Sequence, residues 1–294
     1  MININYNSAA ALRTFLEEEG LAMQKKFGQN FLINPKTRQT LAQALGANAG
    51  DEVWEIGPGL GAMTALLLEN GCRLRAFEID AGFIRVLKRL FADEKDFSLI
   101  EGDVMKTWKK NWHKENPPVY LLGNLPYNIA AAILADFIES GCLFSRIVVT
   151  VQKEVALRMA ASAGSPDYSS FSVLCASVYK VKPFIQISPS SFFPQPNVDS
   201  TGVLLERLPL AEIPTGFYPL VRSLFASRRK TIKNNLTIYI SSRLGKLPAG
   251  ASVQDVCASI FNENGLSGME RAETLELEAF LSLAKSIENM RLLK

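Results

Sequence analysis

The sequence predicts an α/β chain: a mostly parallel sheet with helices on both faces and an antiparallel edge strand, followed by a small α-helical domain. Three observations predict it. Between Glu52 and Met159, short apolar runs alternate with segments of helical period, the rhythm of successive βαβ units. Two further strand-like runs, Phe171 to Val181 and Val198 to Leu205, are separated only by the loop Pro183 to Pro196, the spacing of an antiparallel pair. Beyond a composition shift at Leu208-Pro209 to Pro214, every segment has helical period. These place a boundary near residue 208, with a larger domain over 1–208 and a helical one over 209–294.

The elements follow in order. Residues 8–20 (SAAALRTFLEEEG) predict a short helix ended by Gly20. Lys25 to Asn34 has no clean period and combines Gly28 with amides and two phenylalanines. Pro35 suits the first turn of a helix to about Leu45, with Asn34 as its cap. Glu52 to Ile56 reads as a buried strand, then Gly57-Pro58-Gly59-Leu60-Gly61 and a helix over 62–70. Arg73 to Ile79 is a second strand and 81–92 a helix; Phe97 to Ile100 is a third, short strand. Val119 to Leu122 is a fourth, before a helix from about Asn128 to Ser140. Ile147 to Val151 is a fifth, before a helix through Met159. Near 216–227, 230–242, 252–260 and 273–288 the period is helical.

The chain has 294 residues, 48% of them hydrophobic, enough to bury one large core and a smaller one. No apolar run reaches membrane-spanning length, and Met1 to Asn7 lacks the basic and apolar regions of a signal peptide, so a cytoplasmic protein without a membrane partner is expected. Cys72, Cys142, Cys175 and Cys257 are scattered in apolar contexts without a C-x-x-C pair, and read as buried free thiols. His113, the one histidine, lies among lysines in a polar stretch. A single histidine excludes a multi-histidine metal site, and no metal is expected. Net charge is only +3, but Arg222, Arg228, Arg229, Lys230 and Lys233 cluster with no acid among them, the local basicity that suits a phosphate backbone.

The residues at the strand ends carry the chemistry, because open α/β sheets bind ligands there. Glycines in Gly57-Pro58-Gly59-Leu60-Gly61 let a ligand approach the backbone. The third comes one residue too early for the dinucleotide pattern G-x-G-x-x-G, which argues against a nicotinamide dehydrogenase. With acidic Glu55 two residues before the first glycine, the loop suits a cationic ligand without a pyrophosphate. S-adenosylmethionine is such a ligand, which makes the sheet that of a Rossmann-like S-adenosylmethionine-dependent methyltransferase. Glu78, about 20 residues on, is placed to accept from ribose hydroxyls, with Asp80 as a helix cap. Glu101-Gly102-Asp103 offers a carboxylate for an exocyclic adenine amine. Gly123-Asn124-Leu125-Pro126-Tyr127-Asn128 then ends the fourth strand with an amide, a stiffening proline and a ring. An exocyclic adenine nitrogen is a poor nucleophile because its lone pair is delocalised. The Asn124 side-chain carbonyl and the Leu125 backbone carbonyl can accept its protons and turn that lone pair out of conjugation, while Tyr127 stacks on the base.

These residues resemble the small-subunit ribosomal RNA adenine N6-dimethyltransferase family, itself similar to the erythromycin-resistance rRNA methylases. The likeness runs from Lys25 to about Leu283. Its more specific parts are Gly28-Gln29-Asn30-Phe31-Leu32, Asn124 to Asn128, Gln152 to Ala156, and Ser191-Phe192 through Pro194, Pro196 and Val198 to Ser200. In the helical domain they are Arg228-Arg229-Lys230 with Asn234-Asn235-Leu236, and Arg271 to Leu275. The resemblance implies that Asn30, Leu32 and the Gly57 backbone hold the methionine end of S-adenosylmethionine, Glu78 its ribose and Asp103 its adenine. Asn124 belongs to both the cofactor and the target sites; with Leu125, Pro126 and Tyr127 it grips the target adenine, and Phe192 stacks on the other face. It further implies a monomer that dimethylates two adjacent adenosines in the 3′-terminal hairpin of 16S rRNA in a small-subunit precursor, late in assembly. An assembly factor that binds the subunit through its basic residues, with catalysis secondary, is the alternative. Departures are Phe27 for a leucine, Ile129 to Ala132 without Ser/Thr and Pro, and Tyr168 to Phe171 without Gly-Arg; they bear on RNA contact and not on the cofactor or adenine residues.

Overall fold

The computed structural model describes residues 4–23, 29–115, 117–126, 129–209, 212–243 and 251–290. The chain divides into two compact units, Met1–Ala156 with Lys180–Arg207, and Leu157–Tyr179 with Leu208–Lys294. The second therefore takes in a segment well before residue 208.

In the first unit the elements are α1 (Ala9–Glu18), β1 (Phe31–Leu32), α2 (Pro35–Leu45), β2 (Glu52–Ile56), α3 (Ala62–Glu69), β3 (Arg73–Glu78), α4 (Ala81–Leu90), β4 (Phe97–Glu101), α5 (Val104–Asn111), β5 (Tyr120–Asn124), α6 (Ala130–Glu139) and β6 (Arg146–Gln152). The helix α7 (Lys153–Ala160) leads into the second unit, which holds α8 (Ser170–Ala176). The chain returns through β7 (Tyr179–Ile187), β8 (Phe192–Phe193) and β9 (Ser200–Arg207). Seven strands form one sheet in the order β4-β3-β2-β5-β6-β9-β7, and β1 pairs with β8 in a small second sheet. From β4 to β6 the ladders are parallel; β9 runs antiparallel to β6. The expected sheet, mostly parallel with an antiparallel addition, is the one observed.

Alternation along β2 sends successive side chains to opposite faces. Val53 joins a buried cluster with Leu41, Leu45, Met63 and Leu67 from α2 and α3. Trp54, fully buried, meets Phe77, Phe137 and Phe144 in tilted and edge-on contacts at 4.8–6.5 Å between ring centres. Such pairs add roughly 0.5–1.5 kcal/mol each beyond their buried area. Both faces of the sheet are thus closed, and the open positions are the strand ends. The register aligns the ends of β2, β3 and β5, with Ile56 beside Phe77 and Gly123, and Glu78 beside Glu101.

Two expectations are corrected. Phe171 to Val181 is not one strand. Ser169 and Ser172 form a reciprocal cap, Ser169 N–H donating to Ser172 Oγ at 3.0 Å, and this starts α8; the strand begins only at Tyr179. Pro183 lies inside β7 and not in a loop. That strand is outermost in the sheet, the kind of strand to which prolines are confined. A helix that the sequence reading lacked, α5, is capped by Asp103, which accepts from Met105 N–H at 3.0 Å, and buries Val104 and Trp108.

The second unit is helical: α8, α9 (Phe217–Phe225), α10 (Ile232–Arg243), α11 (Val253–Glu263) and α12 (Leu277–Asn289). Leu220, Leu224, Leu236, Ile240, Ile260, Phe280 and Leu283 share one core with Tyr168 and Val173. Tyr168 Oη donates to Leu275 O at 3.0 Å and Gly164 N–H to Glu273 O at 2.7 Å, which ties the 157–179 segment in. All four cysteines are buried and unbridged. Among the described residues no helix is long and apolar enough to cross a membrane.

Candidate active site

A cleft opens at the ends of β2, β3, β4 and β5. Between β2 and α3, Gly57, Gly59 and Gly61 take φ values of +69°, +59° and +87°, in the left-handed region that only glycine enters freely. At Gly59 a second constraint applies, since a Cβ there would lie 3.1 Å from the Phe31 ring. The loop is anchored to its neighbour strand. Gly57 N–H donates to Phe77 O at 3.0 Å, and Gly59 N–H to Glu78 Oε2 at 3.2 Å. Glu78 Oε1 accepts from the N–H groups of Ile79 and Asp80 at 2.9 and 2.8 Å. The carboxylate expected at the ribose therefore also joins the glycine loop to the tip of β3.

Burial raises the Glu78 carboxyl to about 7 from its ordinary 4.5, against the pull of its backbone donors. Glu55 behaves alike: burial lifts it to about 7, although Thr64 Oγ1 donates to it at 2.7 Å. Together with Asp103 they put three carboxyls on the cleft, while none of its described lining residues is lysine or arginine. A wall with acids and no cations fits the cationic, phosphate-free S-adenosylmethionine and not a dinucleotide. Asp103 spends one oxygen on the cap of α5, so its placement for an adenine amine depends on the other.

Across these tips runs a strap, residues 29–34. Gln29 Nε2 donates to Asp80 Oδ2 at 3.0 Å. Phe31 and Leu32 pair with Phe193 and Phe192, and Arg38 Nη1 donates to Leu32 O at 2.7 Å. The strap puts Asn30 and Leu32 on the cleft with Gly57, Glu78, Asp103 and Asn124, so all six residues expected at the cofactor are brought together. Asn124 ends β5, and its Nδ2 donates to the backbone carbonyl of Asn30 at 2.7 Å. At Gly123 a Cβ would fall 2.5 Å from Leu125 Cδ2, so glycine there makes room for the Leu125 side chain. Pro126 O then accepts from the N–H groups of Ile129 and Ala130 and starts α6. Tyr127, expected to stack on the target base, lies outside the described residues, as do Lys25 to Gly28.

Phe192 is not brought to the cleft. It is 1% exposed and packs with Leu32, Leu41, Leu45 and Ile187 in the core, so stacking on an adenine would require it to abandon that core. Conversely, the cleft includes residues that the sequence reading left out of the site. Tyr6 lines it and donates through Oη to Leu60 O at 2.9 Å, held by Arg38 Nη1 on its own carbonyl at 3.3 Å. Burial, then the nearby Glu55, raises its phenol well above the ordinary value.

The basic residues lie in the helical unit. Arg222 is on the last turn of α9, Arg228, Arg229 and Lys230 lie in the turn before α10, and Lys233 is in its first turn. Arg229, Lys230 and Lys233 are exposed. Arg228 is engaged within the unit: Nε donates to Glu273 Oε2 at 3.0 Å and Nη2 to Pro166 O at 3.2 Å. The buried Asn235 shapes this turn, its Nδ2 donating to Leu224 O at 2.7 Å and Ser227 O at 3.3 Å.

A family model described as ribosomal RNA adenine dimethylase matches residues 20–257. The chain belongs to that family. Ribosomal RNA adenine dimethylases are methyltransferases, and the methyl donor is S-adenosylmethionine. Ribosomal RNA small subunit methyltransferase A of Treponema denticola is 46% identical over 291 residues, covering 97% of this chain and 97% of that relative. The protein of the same name from Geobacter sulfurreducens is 36% identical, over 92% of this chain and 96% of its own. Among solved structures, a dimethyladenosine transferase from Plasmodium falciparum superposes with a TM-score of 0.75 at 25% identity, covering 88% of this chain and 98% of that one. The 23S rRNA methyltransferase ErmE shares the fold, with a TM-score of 0.62 at 20% identity over 87% of this chain and 98% of its own. The dimethylase family expected from the strand-tip motifs is the one found.

Proposed function

We infer that this dimethylase methylates the N6 amines of two adjacent adenosines in the 3′-terminal hairpin of small-subunit (16S) rRNA, late in subunit assembly, and that it works as a monomer in the cytoplasm. The names of its relatives support the small subunit as substrate. The observation that carries the chemistry is the Asn124 amide, at the end of β5 on the donor cleft, with Nδ2 committed to Asn30 O. With the nitrogen occupied there, Oδ1 is left as the acceptor on the opposite side of the amide. It accepts one proton of the adenine amine and the Leu125 carbonyl the other, which turns the nitrogen lone pair out of conjugation. Pro126 stiffens the turn and Tyr127 supplies the stacking face. S-adenosylmethionine supplies an electrophilic methyl group on a sulfonium. Glu78 holds its ribose, Asp103 its adenine, and the buried Glu55 offsets its positive charge; acceleration comes from alignment and electrostatics, with no general base. Arg222, Arg229, Lys230 and Lys233 contact the RNA backbone.

Mapping of labelled methyl groups on precursor and mature small subunits tests this reading. Wild type is expected to label two neighbouring adenosines on the precursor, and Asn124→Ala to abolish labelling even at saturating donor. Full activity in that variant, or label elsewhere in the rRNA, would refute it.

A further inference from the structure

The contact between Asn124 and the strap carries a consequence for how donor and target sites communicate. An asparagine amide can present either its nitrogen or its oxygen in a given direction, because its terminal torsion is broad. The Asn30 carbonyl, an acceptor 2.7 Å from Nδ2, settles the choice, since the flipped amide would set oxygen against oxygen. The orientation of Asn124 is therefore no better than the placement of Asn30. That placement rests on both flanks. On the C-terminal side are the Phe31 and Leu32 pairs and the Arg38 bond to Leu32 O. On the N-terminal side is Gln29, bonded to Asp80 Oδ2 at 3.0 Å. Asp80 is a rigid post: it is 4% exposed, and its Oδ1 accepts from Gly82 and Phe83 N–H at 2.8 and 3.3 Å as the cap of α4.

We propose that Gln29 is a positioning residue for methyl transfer: its bond to Asp80 seats the strap so that the Asn30 carbonyl turns Asn124 Oδ1 toward the target amine. The strap then performs two tasks. One face of it walls the donor cleft, and its backbone sets the acceptor for the adenine. The proposal rests on the acceptor role of Asn124.

Gln29→Ala and Gln29→Glu test it. Donor binding is measured by calorimetry, folding by thermal unfolding, and the single-turnover rate at saturating donor on precursor small subunits between pH 5.5 and 8.5. Gln29→Ala is expected to lower the rate about tenfold, the scale of a sub-ångström misplacement at a reacting centre, with a smaller change in donor affinity. In Gln29→Glu at pH 8.5 two carboxylates face each other and the strap is pushed away. As pH falls they share a proton and the bond re-forms, so the variant-to-wild-type rate ratio rises. The other ionisable groups on the cleft, Tyr6, Glu55, Glu78 and Asp103, are common to both proteins; Glu78, which faces Asp80, takes up protons with the new pair and moves the ratio in the same direction. A merely structural glutamine would give a ratio independent of pH. A wild-type rate in Gln29→Ala, a loss confined to donor affinity, or a flat ratio for Gln29→Glu would each overturn the proposal. Failure of the wild type itself to methylate these particles would instead refute the substrate assignment.

Discussion

At Glu55 and Glu78, two buried carboxyls with values near 7 make the cleft pH-sensitive. Between their ordinary 4.5 and about 7 the folded state binds more protons than the unfolded one. Stability from these groups is therefore greatest below 4.5 and is lost as pH rises through 7. Thermal unfolding of the donor-free protein should show a melting temperature that falls from pH 5 to pH 8. Glu55→Gln should flatten that fall. Donor affinity should run the other way, rising with pH as the carboxyls ionise; equal affinity at pH 5.5 and pH 8 would count against their electrostatic role. Glu78, Asp103 and Asn124 were legible in the sequence because each follows an apolar strand run and so lies at a tip. Tyr6 was not, since its bond to Leu60 spans 54 residues with no periodic signature. The burial of Phe192 was not legible either, because an aromatic in a proline-rich segment carries no sign of which face it takes; it pairs with Leu32 and lies in the core.

Among the elements, the α9–α10 turn separates two kinds of basic residue that look alike in sequence. All of Arg228, Arg229, Lys230 and Lys233 are exposed, but Arg228 is tied to Glu273 and Pro166. Arg228→Ala should cost up to about 1 kcal/mol of stability, small because the pair is half exposed. The triple change Arg229→Ala, Lys230→Ala, Lys233→Ala should leave stability unchanged. It should lower the slope of log affinity for RNA against log salt by about 2–3. Asn235→Ala strips two carbonyls of their buried donor and should destabilise by roughly 1–3 kcal/mol in denaturant unfolding. The strands and helices with unmixed periods were readable from sequence. The 171–181 run was not, because consecutive buried residues Val173, Leu174 and Cys175 suit a strand as well as a helix, and the serine cap decided the matter.

For the whole molecule, the two units are not two successive lengths of chain. Tyr168 and Val173 are core residues of the helical unit although they precede β7 and β9 of the sheet. A fragment ending at residue 208 would keep the sheet yet strand those apolar side chains without their partners Leu224 and Phe280. It should express poorly and bind hydrophobic dyes, and a fragment from 209 onward should melt below the intact chain. The composition shift at Leu208 coincides with one crossing between the compact units. The earlier crossing, within α7, leaves no such mark because a continuous helix carries it.

The proline inside β7 bears on how the protein behaves in a crowded solution. An outermost strand offers unpaired backbone groups to any other strand that arrives. Here that strand carries Lys180, Lys182 and Pro183, all exposed, in consecutive turns of the pleat. Charge and a missing donor make it a poor template for adding a foreign strand. The proline that the sequence pattern assigns to a loop thus joins Lys180 and Lys182 in guarding the outer border of the sheet against self-association.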